Sequence, residues 1–205
     1  MSKNNLRTVL LFILAAAGWF ALISQFYLIQ QNSQDGFFTA TLNFFSYFTI
    51  LTNLLVAVCT TLVLSGVKNR LTNEWMLAAT AVYITIVGIT YNLLLRSVWN
   101  PQGLQKVTDE LLHTAIPILF VIFWIAFVPK GLLRWKDIVP WLVYPLVYSV
   151  YTLIHGVISN WYPYPFIDPN KIGWSSVAIN SVFVLVAFAV VSLLFIGYGR
   201  LSRRL

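Results

Sequence analysis

The chain has 205 residues, 59% of them apolar and 9% charged, and its mean hydropathy is +0.79. A soluble domain carries about 25% charged residues, so this composition excludes an ordinary water-soluble globule. The net charge of +7 would point a soluble chain toward nucleic acid, but an apolar chain uses its bases to set membrane orientation, and the one cysteine, Cys59, excludes an internal disulfide.

Taken in chain order, six apolar stretches stand out, at roughly 8–29, 42–65, 75–98, 110–129, 138–159 and 174–198. Each is about 20 residues or more, enough at 1.5 Å per residue to cross a hydrocarbon core of about 30 Å. The breaks between them carry helix punctuation: Asp35-Gly36, Ser65-Gly66, Asn100-Pro101, Pro129-Lys130-Gly131 and Asp168-Pro169-Asn170. The reading is an all-α polytopic membrane protein, residues 1–205 forming a single domain of six transmembrane helices. Ala15-Ala16-Ala17 resembles a small-residue cleavage site, yet the apolar run continues to Ile29, which predicts a first span rather than a signal peptide.

Ten of the thirteen Lys and Arg residues fall on one side of this arrangement: Lys3, Arg7, Lys68, Arg70, Lys130, Arg134, Lys136, Arg200, Arg203 and Arg204. Arg96, Lys106 and Lys171 fall on the other. The positive-inside rule then predicts cytoplasmic N and C termini. Trp75, Trp99, Trp135, Trp141, Trp161 and Trp174 lie at span ends or in adjoining loops, where an indole suits the headgroup layer.

Orientation assigns depth, and the polar residues share one. Nearly all of Gln25, Asn43, Ser46, Thr49, Thr52, Asn53, Asn92, Arg96, His113, Thr114, His155 and Asn180 fall in the outer half, whereas the inner halves are mostly runs such as Leu54 to Val58 and Ile118 to Ile125. A polar chamber opening outward explains this, because intramembrane polar and ionisable groups face a bundle interior or a water-filled cavity. Ser46, Thr49 and Asn53 are spaced i, i+3, i+7 and share a helical stripe, with Thr52 pointing away from it. Asn92 and Arg96 are i, i+4, as are Asp109 and His113, so Asp109 can orient the imidazole. A hydroxyl becomes a nucleophile when a base takes its proton and a donor stabilises the oxyanion, and Thr49 with His113 is the candidate pair. Asn53, Asn92 and Arg96 are the candidate donors. Hydrogen bonding between helices is the alternative role for each of these polar residues.

Three strings carry a resemblance: Tyr47-Phe48-Thr49-Ile50-Leu51-Thr52-Asn53-Leu54-Leu55, Leu111-Leu112-His113-Thr114-Ala115-Ile116-Pro117, and Trp161-Tyr162-Pro163-Tyr164-Pro165-Phe166-Ile167-Asp168. They resemble those of a family of small bacterial six-span membrane proteins over most of the chain and, more distantly, those of the eukaryotic androgen-induced (androgen-induced gene one) membrane proteins. The resemblance implies residence in the bacterial inner membrane. It also implies a hydrolase of fatty acid esters of hydroxy fatty acids, with a threonine nucleophile at Thr49 and a histidine at His113. The threonines here stand three apart and the spacing to Asn53 departs from the eukaryotic pattern, which keeps Thr52 open as the alternative nucleophile.

The third string lies between spans five and six. Its alternating prolines predict a stiff extended segment, either a lid whose Asp168 reaches Arg96 or a histidine, or an aromatic anchor at the interface. The partner implied throughout is a membrane lipid or lipid ester. No phosphate-cradling glycine loop or zinc-type ligand spacing is present, so no cofactor, metal or nucleic acid is implied, and oligomeric state stays open. A transporter and a non-catalytic lipid-binding protein are the competing functions, the first lacking a matching polar path in the inner halves.

Overall fold

The structure, a computed structural model, describes residues 2–202. Arg203 and Arg204, two of the ten basic residues on the cytoplasmic side, lie outside the described residues. Eight helices and no strand occur among the described residues: α1 Lys3–Asn32, α2 Gly36–Phe45, α3 Phe48–Leu64, α4 Glu74–Thr90, α5 Gly103–Glu110, α6 Ile116–Phe127, α7 Ile138–Ser159 and α8 Pro169–Leu201. A π turn, Tyr91–Leu95, extends α4, and another, Leu111–Ala115, joins α5 to α6. The contacts gather into two compact units, one through Leu132 and one from Leu133 onward.

In the first unit α1 runs unbroken through the Ala15–Ala17 triplet, its first turn capped by the Ser2 hydroxyl accepting from the Asn5 N–H at 3.2 Å. Its main partner is α3. A Cβ built on Gly18 would stand 3.1 Å from the Cβ of Ala57, so the two helices meet backbone to backbone through small residues, a contact typical of packing in lipid. The α4 helix is the most buried, and its Ala78, Ala79 and Ala81 are wholly inaccessible. Asn73 caps it by accepting from the Met76 N–H at 2.7 Å, with Glu74 favourably placed in the first turn.

The second predicted span corrects the sequence reading. Residues 42–65 form no single helix: α2 ends at Phe45, α3 begins at Phe48, and the pair is bent by 73°. The Ser46 hydroxyl donates to Leu42 O at 2.8 Å while the Ser46 and Tyr47 amides reach back only three residues, closing α2 locally before Tyr47 turns extended. No glycine or proline marks the site. The fourth span also differs, since its helix begins at Gly103, well before residue 110, and the π turn absorbs one register slip along the way.

Beyond α6, Lys130 folds its ammonium over the helix end, donating to the carbonyls of Trp124, Ile125 and Val128 at 3.1, 2.9 and 2.7 Å. This satisfies orphan carbonyls and complements the negative end of the helix dipole. Burial pushes the Lys130 ammonium below its ordinary value, with Glu74 acting in the opposite direction and Lys3 reinforcing the shift.

In the second unit α7 packs on α8. Pro145 lies inside α7 without ending it. Asn160, left-handed at φ 55°, closes that helix, and Gly173 at φ 76° breaks α8 near its start, so the long segment of α8 begins where the sixth span was predicted. The Trp135 ring lies 3.7 Å from a Cβ built on Gly197 and stacks under Arg200 at 5.5 Å.

Five helices are long and apolar enough to cross a membrane, or six if the bent α2–α3 pair is one span. Exposed Val139, Ile158, Phe183 and Leu194 line the sides of α7 and α8. This surface is compatible with an integral membrane protein.

Replacing Gly18 by leucine is expected to force α1 from α3 and lower stability by about 1–3 kcal/mol. Thermal unfolding in detergent checks it, and an unchanged midpoint would show that the contact yields freely.

Candidate functional site

The site of the first unit is organised by a missing hydrogen. In the π turn the Ile116 N–H reaches Leu111 O rather than Leu112 O. The next donor along the chain is residue 117, a proline, which has none. Leu112 O therefore loses both its α and its π partner, and His113 O loses its α partner. Two asparagines replace them. Asn53 Nδ2 donates to Leu112 O at 3.2 Å and to Thr49 O, one turn back on its own helix, at 2.9 Å. Asn92 Nδ2 donates to His113 O at 3.3 Å and to Gly88 O at 2.8 Å. Each amide thus staples a carbonyl of its own helix to a carbonyl of the π turn.

Gly88 makes the second staple feasible. A Cβ there would lie 3.2 Å from the Cβ of Pro117 and 3.4 Å from His113 O, so only glycine lets α4 approach this closely without displacing a neighbour. Asn53 is fully buried, and its Oδ1 has no hydrogen-bond partner among the described residues.

The staples fix His113. Its Nδ1 lies 2.9 Å from Asp109 O and 3.4 Å from Asp109 Oδ1. Both oxygens accept, which together favour the proton on Nδ1, and in the neutral ring Nε2 then keeps a bare lone pair. The Tyr91 ring stacks on the imidazole at 4.0 Å between centroids and 15° between planes, and its hydroxyl donates to Asp109 Oδ2. Arg96 pairs with Glu110, donates from Nη2 to Thr114 Oγ1 at 3.1 Å, and stands 5.7 Å from the centre of the Tyr91 ring.

The predicted residues thus divide. Thr49, Asn53, Asn92, Arg96, Asp109 and His113 gather at one end of the first unit, and the i, i+4 pairing of Asp109 with His113 is present as expected. Ser46 leaves the predicted stripe, because the break between α2 and α3 falls at its position. Thr52 is inaccessible, whereas Thr49 retains 8% exposure. Both amides expected as oxyanion donors have each spent their two hydrogens on backbone carbonyls. Arg96 keeps Nη1 and Nε free of hydrogen bonds among the described residues.

In the second unit, His155 lies near Tyr151 and edge-on to Trp161, with its Nδ1 buried and unpartnered among the described residues. Asp168 caps α8 by accepting from the Asn170 N–H at 3.0 Å and pairs with Lys171 at 3.4 Å, while Arg96 takes Glu110. Asn180 Nδ2 holds Phe166 O at 2.8 Å. The proline string is not extended throughout: Pro165–Ile167 closes a 3-10 turn, for which the proline ring presets φ, and Tyr164 stacks on Phe166. Tyr162 covers Gly156 so closely that any Cβ there would overlap its ring. Burial raises the Tyr162 hydroxyl above its usual range, and Asp168 adds to the shift.

Tyr91 and Glu110 were missed as members of the cluster by the sequence reading, which named Thr114 only as one of the polar residues of the chamber. Pro117 was the available signal: a proline four residues after His113 strips that carbonyl of its helical partner and calls for a polar side chain nearby.

This is an all-helical chain, compatible with an integral membrane protein, with a histidine-centred polar cluster built on paired π turns. No protein family, curated protein or solved structure matches it.

Asn53→Leu is expected to cost about 1–3 kcal/mol by leaving Leu112 O unsatisfied. The cost should shrink when Pro117→Ala restores an N–H to the turn, and a double-mutant cycle of unfolding midpoints reads the coupling. Additive losses would break the link between the proline and the staple.

Proposed function

We propose that the protein is an integral membrane hydrolase of lipid esters, with Thr49 as nucleophile and His113 as general base. The observation that carries this is the imidazole itself. Its Nδ1 proton is directed at Asp109, which leaves the opposite nitrogen to accept a proton, the arrangement of the Ser-His-Asp triad. Thr49 stands at the second position of α3, and Asn53 ties its carbonyl to the residue preceding His113.

The reaction proceeds from these roles. Thr49 Oγ attacks the ester carbonyl as Nε2 takes its proton, and the imidazolium returns that proton to the departing alkoxide. Water activated by the same nitrogen then releases the acid from the acyl-threonine. Charge on the tetrahedral oxygen is met by the positive end of the α3 dipole, next to Thr49, and by the unsatisfied donors of Arg96. The greater accessibility of Thr49 favours it over Thr52.

The resemblance of the three strings supplies the substrate class, fatty acid esters of hydroxy fatty acids, and the setting, a bacterial inner membrane. The asymmetry of basic residues supports six spans with both termini cytoplasmic and the site in the outer half.

Purified protein in detergent is expected to hydrolyse such esters. Thr49→Ala and His113→Ala should each lower kcat by at least about 100-fold, with Thr52→Ala within about threefold of wild type. Hydrolysis unaffected by all three substitutions would falsify the assignment. Loss in Thr52→Ala alone would move the nucleophile to Thr52.

A further inference from the structure

Two acceptors hold the proton of His113 on Nδ1. The backbone carbonyl of Asp109 accepts from Nδ1 at 2.9 Å, and the Asp109 carboxylate approaches the same nitrogen at 3.4 Å. The carbonyl direction is a property of the helix, but a carboxylate turns freely about its own bonds unless something holds it. The holder is Tyr91. Its hydroxyl donates to Oδ2, which leaves Oδ1 facing the ring nitrogen. The same tyrosine lays its ring along one imidazole face, and it is 4% exposed, so that face is closed to water. Tyr91 begins the π turn that extends α4, and that turn is fastened to the histidine-bearing turn by Asn92. The other charges facing the cluster, Arg96 and Glu110, pair with each other, which leaves Asp109 as the carboxylate committed to His113.

We propose that Tyr91 is a positioning residue: by anchoring the Asp109 carboxylate and covering the imidazole face, it confines His113 to the tautomer with a bare Nε2. Its catalytic consequence rests on the hydrolase reading of the site, whereas the tautomer it imposes is a property of the folded chain. Tyr91 never touches the substrate. It acts through Asp109 on the nitrogen that does.

The chain has only two histidines, so nitrogen-15 histidine labelling of the full-length protein in detergent gives one pair of ring-nitrogen signals for each imidazole, and a His155→Gln control assigns them. In wild type, His113 is expected to show a single species with a protonated Nδ1 and a pyridine-like Nε2. Tyr91→Phe keeps the stacked ring and removes the hydroxyl, and a second set of resonances from the Nε2–H tautomer should appear. In the ester assay, kcat should fall by about tenfold with KM unchanged. Asp109→Asn serves as the second variant should Tyr91→Phe fold poorly, and it should likewise admit the other tautomer. A His113 that stays wholly Nδ1-protonated in a folded Tyr91→Phe or Asp109→Asn protein overturns the proposal, since the backbone carbonyl alone would then suffice. A tautomer change in a protein without measurable esterase activity supports the positioning role and removes the hydrolase reading instead.

Discussion

The first unit depends on one hydrogen that Pro117 does not possess. In hydrocarbon an unsatisfied carbonyl costs far more than at a wet surface, since no water is at hand to replace the lost partner. The slip at Ile116 and the proline beside it leave two consecutive carbonyls wanting donors, and only side chains from neighbouring helices can provide them. Asn53 and Asn92 answer from α3 and α4. A local defect in one helix thereby specifies where two others must lie. Polar residues in membrane helices are often credited with holding helices together; in this bundle each asparagine does so by serving one particular backbone atom.

That arrangement separates two kinds of polar residue within one cluster. Asn53 and Asn92 are consumed by the backbone, and their amides have no hydrogen left for chemistry. His113, Asp109 and Tyr91 direct their interactions at one another, and Arg96 retains donors without hydrogen bonds among the described residues. Scaffold and candidate catalytic groups are thus distinct sets of side chains at the same level of the fold. The close approach at Gly88 belongs to the scaffold, because it brings α4 near enough for Asn92 to bridge.

The legible parts of this structure were those governed by local periodicity. Helical content and the positions of the apolar segments derive from runs of Leu, Ile, Val and Phe whose lengths match a hydrocarbon core. The Asp109–His113 relation is a spacing of four within one helix, and the Asp168-Pro169 pair carries a cap and then a proline suited to the first helical turn. The illegible parts depend on tertiary register. Glu110 is Arg96's partner because two π turns meet, which no one-dimensional spacing encodes. The bend between α2 and α3 was hidden for another reason: Ser46 and Tyr47 contain no breaker, and a serine that bonds its own backbone looks in sequence like any other polar residue in a span. Pro117 was visible throughout, but its effect fell on carbonyls four and five residues earlier.

The π turn at Leu111–Ala115 has a consequence for how such a chain can change over time. A π turn holds one residue more than the α-helical turn it replaces, and each residue of an α-helix rotates the rest of the helix by about 100°. Rewinding that turn as regular α-helix at constant length would swing the whole of α6 about its axis and carry its buried face away from α1 and α4, whereas loss of a single residue would restore regular winding and leave α6 facing as it does. Point substitutions around the cluster alter one partner at a time, whereas a one-codon deletion in this short segment would remove the bulge while keeping the neighbours of α6. The segment is therefore a place where the chain can shorten by one residue without re-facing the helix that follows.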